Sequence, residues 1–252
     1  STVVFENVAD VGPGVLQIGA MVVGAYRDID GLIVVDVVAG ETVRTGEMGL
    51  SERFSMDWRA HSPTWRRDGL KLGYVFNSSN MRQIDPQPVA LDIGDDLLTV
   101  DSWDLPDVTL VQWGPTPATE NQLLYVGKVT YDSTGIYLVN EGSATAGQKL
   151  VSYSTSVRVL GLAWLPDGSG FVYSATEYGA GFDMLGANLY EYSFATGQAT
   201  RLSAFEEKFT GKLSIAPDGQ QIVFELSDVM EDQFGYSITD PDLWIINRDG
   251  SG

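Results

Sequence analysis

The sequence predicts an all-β fold, a β-propeller of five recognisable four-stranded blades. Three observations predict it. Short strand-like runs dominate the chain, a strand–turn–strand unit recurs along it, and glycine is abundant. Glycine makes up 28 of the 252 residues, above the average of about 7%, as expected where many hairpin turns need a backbone free to take positive φ. No stretch keeps a helical period for longer than about two turns.

The runs include Ala20–Tyr26, Leu32–Val38, Leu72–Phe76, Leu123–Val126, Ile136–Val139, Phe171–Ser174, Leu189–Tyr192, Gln221–Phe224 and Leu243–Ile246. Each is rich in Val, Ile, Leu, Tyr or Phe and bounded by Gly, Asp, Asn or Pro, the pattern of short strands between turns. Leu162-Ala-Trp-Leu-Pro-Asp-Gly-Ser-Gly-Phe-Val-Tyr173 aligns without a gap on Leu213-Ser-Ile-Ala-Pro-Asp-Gly-Gln-Gln-Ile-Val-Phe224. Pro63-Thr-Trp-Arg-Arg-Asp-Gly-Leu-Lys-Leu-Gly-Tyr74 is a third copy, and Leu110–Pro115 with Gln122–Tyr125 a looser fourth. The anchors Trp65, Trp113, Trp164 and Ile215 are spaced by 48, 51 and 51 residues. A period of roughly 40–50 residues with four strands in each unit is that of a propeller blade.

The blades are expected near 15–50, 58–100, 108–153, 158–203 and 209–252, together one domain. The first is degenerate, with strands over Val15–Ile18, Met21–Tyr26, Leu32–Val38 and Thr42–Thr45. In the later blades a strand ends at the anchor, and Asp-Gly then supplies the hairpin turn. An apolar strand, a variable connection and a third strand such as Asn188–Ser193 or Asp242–Asn247 come next, before a second Gly turn. Blade five reaches Gly252 just after its third strand, and Thr2-Val-Val-Phe5 has no blade of its own. Thr2–Glu6 is therefore expected to close the ring beside Leu243–Asn247. The competing reading is that the sequence is cut from a longer propeller.

Composition removes several functions. There is no cysteine and one histidine, His61, so there is no disulfide framework, thiolate metal site or Cys nucleophile, and any Ser-His-Asp triad must use His61. Asp and Glu number 34 against 15 Lys and Arg, a net charge of −19. That balance is unsuited to nucleic acid or anionic membranes, which both require a basic surface. No run of apolar residues is long enough to insert into a membrane as a helix.

The unit Trp164-Leu-Pro-Asp-Gly, Asn188-Leu-Tyr-Glu-Tyr, Gly197 and Arg201-Leu-Ser203 resembles the WD-like "Pro-Asp" repeat of TolB-like propellers. That repeat occurs in the periplasmic protein TolB and in the propeller domains of tricorn-like and prolyl-oligopeptidase-type peptidases. The match is good in blades four and five, partial in blade two, where Arg67-Asp-Gly replaces Pro-Asp-Gly, and weak in blades one and three. The resemblance implies a propeller used for protein–protein scaffolding in the periplasm, at the cell surface or outside the cell, or for gating a peptidase. No catalytic residue carries over, and the chain contains no Gly-x-Ser-x-Gly elbow.

Trp65, Trp113 and Trp164 recur at one place in the repeat, which assigns them to packing rather than to stacking on a ligand. Asp68, Asp167 and Asp218 recur as turn formers. Asp28-Ile-Asp-Gly31 is a fragment of a calcium loop that lacks its remaining ligands. Asp92, Asp95, Asp96, Asp101, Asp104 and Asp107 form a denser acidic run. Ca²⁺ is the ion such a run would suit, and a solvated acidic edge is the other reading. No metal or cofactor is expected. His61 is expected in a turn or inter-blade hydrogen bond, and Asn77-Ser-Ser79 is a glycosylation tripeptide.

Binding is expected on the long connections between second and third strands: Asn77–Pro88, Ser174–Ala187 and Glu225–Pro241. Loops on a rigid scaffold carry function, and interface centres favour aromatics and Met. The candidate partner-binding residues are Glu177, Tyr178, Phe182, Asp183, Met230, Glu231, Phe234 and Tyr236. The expected function is a non-enzymatic interaction or scaffolding module, its partner a basic or amphipathic protein. The alternatives are a five-bladed glycoside hydrolase using paired carboxylates, with Asp57 and Asp107 as candidates, and the propeller part of a multidomain protein.

Overall fold

The structure, a computed structural model, describes residues 2–10, 15–23, 32–36, 41–44, 58–68, 71–78, 87–92, 99–102, 108–130, 133–143, 145–154, 156–178, 184–232, 235–239 and 241–252. These form twenty strands in five antiparallel sheets. Sheet one contains β1 (Thr2–Asp10), β2 (Val15–Val23), β3 (Leu32–Asp36) and β4 (Glu41–Arg44), in that order. Sheet two contains β5 (Trp58–Trp65), β6 (Lys71–Ser78), β7 (Gln87–Asp92) and β8 (Thr99–Ser102). Sheet three contains β9 (Leu110–Trp113), β10 (Gln122–Thr130), β11 (Ser133–Asn140) and β12 (Gln148–Ser154). Sheet four contains β13 (Val159–Trp164), β14 (Gly170–Tyr178), β15 (Met184–Ser193) and β16 (Gln198–Arg201). In sheet five β17 (Lys208–Ile215) pairs with β18 (Gln221–Asp232), which pairs with both β19 (Gly235–Ile238) and β20 (Asp242–Asn247).

The expected ring closure does not form. Thr2–Asp10 pairs with Val15–Val23, with Thr2 opposite Val23 and Asp10 opposite Leu16. A four-residue connection closes at far lower entropic cost than a pairing with residues some 240 positions away. The N-terminal run thereby supplies the first strand of sheet one, and Val15–Val23 is a single strand rather than two. Two connections are also shorter than expected. Ladder pairing carries β14 through to Tyr178 opposite Met184 and β18 through to Asp232 opposite Gly235.

The chain divides into two compact units, 1–129 with 137–148, and 130–136 with 149–252. In the first, Val75, Val108, Val111, Trp113, Leu123, Tyr125, Tyr137 and Val139 form one buried cluster. Tyr125 and Tyr137 stack at 4.9 Å, and the Tyr125 hydroxyl donates to the Ala146 carbonyl at 2.6 Å. Thr64 joins sheets two and three, its Oγ1 accepting the Trp113 N–H at 3.2 Å. The absent side chain of Gly73 makes room for the Trp113 ring, since a Cβ there would lie 2.8 Å from Trp113 Nε1.

In the second unit Leu165, Val172, Leu189, Ile222, Phe224, Leu226 and Ile246 form the cluster between sheets four and five. Sheet four's other face is aromatic: Phe171 stacks on Tyr192 at 4.9 Å and Tyr173 on Tyr190 at 5.3 Å. Trp113 and Trp164 are buried, as packing anchors should be, while Trp65 and Ile215 are half-buried. The repeat turns follow one design. The Asp167 carboxylate accepts the N–H and hydroxyl of Ser169, Asp218 accepts the Gln220 N–H, and Asp249 accepts the N–H and hydroxyl of Ser251. The glycines that follow these aspartates, Gly168, Gly219 and Gly250, have φ of +74°, +71° and +84°. Asp68 departs from this design, holding the Arg66 guanidinium, which also reaches Glu141 at 2.9 Å.

Candidate functional site

Five of the eight expected binding residues lie on two hairpins of the second unit. In sheet four, Glu177 and Tyr178 are the last two residues of β14, and both are half-buried. A register shift separates them, with Gly186 opposite Glu177 at φ +132°. Alternation along β14 puts Tyr173 and Glu177 on one face, and cross-strand pairing sets Tyr173, Tyr190 and Arg201 in a row beside them.

That row is a connected polar network. Glu177 Oε1 accepts from the Tyr190 hydroxyl, and its Oε2 accepts from Arg201 at 3.0 Å. The hydroxyls of Tyr153 and Tyr173 share a hydrogen bond of 2.7 Å. Burial pushes the phenol pKa values of Tyr153, Tyr173 and Tyr190 upward, and at Tyr190 the neighbouring Glu177 carboxylate adds to it. These phenols stay protonated and act as hydrogen-bond partners. The face carries a carboxylate, a guanidinium and the half-buried phenol of Tyr190, while Phe171, Tyr173 and Tyr192 are buried.

In sheet five, Met230 lies opposite Ser237 and Glu231 opposite Tyr236, on the β18–β19 hairpin. The Asp228 N–H bonds Thr239 Oγ1 at 2.8 Å, and the Thr239 N–H bonds the Asp228 carbonyl at 3.0 Å, which clamps the base of the hairpin. Lys208 pairs with Asp228 across the neighbouring strand. The structure thus places Glu177 and Tyr178 on one hairpin and Met230, Glu231 and Tyr236 on the other. Phe182, Asp183 and Phe234 lie outside the described residues. So do Asp57 and Asp107, Asp28 and Asp30, and Asp95, Asp96 and Asp104, while Asp92 and Asp101 are placed on β7 and β8. His61 sits on β5 opposite Val75, and Asn77 on β6 opposite Arg59.

Three features escape a reading of the sequence. Buried Asn188 locks the outer strand of sheet four. Its Oδ1 accepts the Ser203 hydroxyl and the Phe205 N–H, both at 2.8 Å, and its Nδ2 donates to the Phe205 carbonyl at 3.1 Å. Ser203 Oγ in turn accepts the Leu189 N–H at 2.9 Å. Arg248, in the last turn, binds Glu191 through two hydrogen bonds of 2.8 and 2.7 Å. The third feature is β20, where Leu243, Trp244 and Ile245 are 77, 51 and 59% exposed. The sequence already leaves this strand without a fourth one beside it among the given residues, and what it does not show is how far these side chains are exposed.

No family model and no curated protein matches the chain. Solved structures do. TolB from Acinetobacter baumannii is 17% identical, with a TM-score of 0.55 over 87% of this chain and 57% of its own. An oligogalacturonate lyase in complex with manganese is 16% identical, with a TM-score of 0.56 over 93% of this chain and 59% of its own. A prolyl endopeptidase is 9% identical, with a TM-score of 0.61 over 96% of this chain and 37% of its own. The chain therefore spans under two thirds of the length of each. These likenesses establish a TolB-like β-propeller fold, and a fold shared by a lyase and a peptidase leaves the activity to be argued from the site.

Proposed function

From the TolB-like propeller fold and the hairpins it carries, we propose that this chain is a non-enzymatic protein-binding module acting outside the cytoplasm, its contact face formed by the hairpins of sheets four and five. The observation that supports this reading is the construction of those hairpins. Both are antiparallel ladders, the first with a register shift between Glu177 and Tyr178, ending at Tyr178 opposite Met184 and at Asp232 opposite Gly235. A strand-built hairpin holds its side chains in fixed positions, so binding loses less conformational entropy than it would on a free loop. The residues carried there mix acids with aromatics, and the net charge of −19 favours a basic or amphipathic partner.

The test is capture of partners from an envelope or secreted extract by the immobilised chain, with contacts mapped by cross-linking. The variant Phe182→Ala/Phe234→Ala/Tyr236→Ala is expected to keep the wild-type melting temperature and lose captured material at least tenfold. Equal capture by the variant, or cross-links mapping away from 177–184 and 230–236, would overturn the assignment of this face.

A further inference from the structure

The chain has no cysteine. A two-electron oxidant such as peroxide has methionine to attack, while a one-electron oxidant is left with the phenol and indole rings. A phenol gives up an electron readily only when its proton leaves with it, because the oxidised, still protonated ring is a strong acid. The partner of each hydroxyl therefore decides where an oxidising equivalent comes to rest.

In the second unit three phenols form a row. The Tyr153 and Tyr173 hydroxyls share a hydrogen bond of 2.7 Å, and their rings meet edge-on at 6.3 Å. Tyr173 stacks on Tyr190 at 5.3 Å. Tyr173 is fully buried, while Tyr153 and Tyr190, at the two ends of the row, are half-buried. Ring spacings this short let an electron vacancy pass from one phenol to the next. The hydroxyl partners differ along the row. Tyr153 and Tyr173 have each other, and a phenol is too weak a base to keep a proton. Tyr125, in the first unit, donates to the neutral Ala146 carbonyl. The Tyr190 hydroxyl donates to Glu177 Oε1, which belongs to a carboxylate able to take the proton outright. Arg201 holds the other oxygen, Oε2, at 3.0 Å and so fixes the carboxylate beside the phenol.

We propose that Tyr190 is a redox-active tyrosine, the site at which the protein takes one-electron oxidation, with Glu177 as its proton acceptor. The step balances within the pair. An outer-sphere one-electron oxidant, such as a high-valent metal complex, removes one electron from the Tyr190 ring and is itself reduced by one. The phenol O–H bond breaks, the proton forms an O–H bond on Glu177 Oε1, and a neutral Tyr190 phenoxyl radical remains. An electron taken first from Tyr153 or Tyr173 is replaced from Tyr190, so the radical collects where the base is. The pair works without a bound partner, and the proposal stands whether or not the hairpin face binds one.

The probe is tris(bipyridine)ruthenium(III), generated by a light flash in a solution of the 252-residue chain with a nitroso spin trap, and the trapped residues are read by peptide mass spectrometry. Tyr178, half-buried on the same hairpin, is the internal reference. Tyr190 is expected to carry at least fivefold more adduct than Tyr178. Glu177→Gln keeps an acceptor oxygen beside the phenol but no base, and should lower the Tyr190 adduct at least fivefold with Tyr178 unchanged. Misfolding would expose Tyr190 and raise its adduct, so the direction separates a lost base from a lost fold. In heavy water the Tyr190 adduct should form at least twofold more slowly in the wild type, with a smaller slowing in Glu177→Gln. Equal adduct on Tyr190 and Tyr178 in the wild type would overturn the proposal. So would Glu177→Gln protein that labels Tyr190 as heavily as the wild type or more so, or a heavy-water effect that the variant leaves unchanged.

Discussion

Asn188 shows how much a single buried amide can organise. It accepts from Ser203 and Phe205 and donates back to the Phe205 carbonyl, so three polar groups depend on it. Alanine at 188 would leave those groups buried or half-buried with nothing to bond. An unsatisfied buried group costs about 1–3 kcal/mol, and partial water access at Phe205 moderates the total. Asn188→Ala is expected to destabilise the second unit by ~2–3 kcal/mol, read as a lower urea midpoint, with exchange protection lost first in β16. An unchanged midpoint would mean that the outer strand is held by its ladder alone. At this scale the sequence was legible where an interaction is local. Asp167 and Asp218 bond residues two positions on, and Asp-Gly announces such turns. The partners of Asn188 lie 15 and 17 residues away, and no local pattern points to them.

The strands were legible because alternation and turn residues are local, and so was the four-stranded unit. Their pairing was harder to read at the ends. Val15–Ile18 and Met21–Tyr26 are expected as separate strands, yet pairing with β1 runs across Gly19, from Leu16 to Val23. Ser174–Ala187 and Glu225–Pro241 are expected as loops, whereas cross-strand partners carry β14 to Tyr178 and β18 to Asp232. Gly186 is the element-level device that makes this possible in β15. Its φ is +132°, and a Cβ there would lie 2.3 Å from the Lys208 carbonyl oxygen of β17. Gly186→Ala therefore combines backbone strain with a clash against a neighbouring main chain, and should cost ~2–4 kcal/mol. Gly142 is the control. Its φ is +73° with nothing within 4 Å of the added atom, so Gly142→Ala should cost only about 1 kcal/mol. Urea midpoints of the two variants measure the difference, and equal losses would show that the approach of β17 to Gly186 is not tight in solution.

For the whole molecule, the five-sheet organisation was visible as a repeat, but the placement of the N-terminal run was not, because repeats specify units and leave their ends open. Charge acts at this scale too. Acidic residues outnumber basic ones by 34 to 15. Arg66, Arg67, Arg201, Lys208 and Arg248 are already held in ion pairs with Asp68, Glu141, Glu120, Glu177, Asp228 and Glu191. By count, 19 acidic residues have no basic residue to offset them. Self-repulsion of a net charge this large destabilises a compact chain, while individual surface ion pairs contribute only about 0–1 kcal/mol each. Salt acts on these two terms with opposite sign. Screening falls from a Debye length of roughly 30 Å at 0.01 M to about 3 Å at 1 M, which relieves the repulsion and also weakens the pairs. With 19 uncompensated charges the repulsion dominates. The melting temperature should rise by several degrees between 10 and about 500 mM NaCl, levelling off as the Debye length drops below the spacing of surface charges. Chloride is the salt to use, because sulfate strengthens apolar burial independently of charge. A melting temperature that stays level or falls would mean that the ion pairs, above all the two-point Arg248–Glu191 contact joining the last turn to sheet four, carry more of the stability than the surplus charge removes.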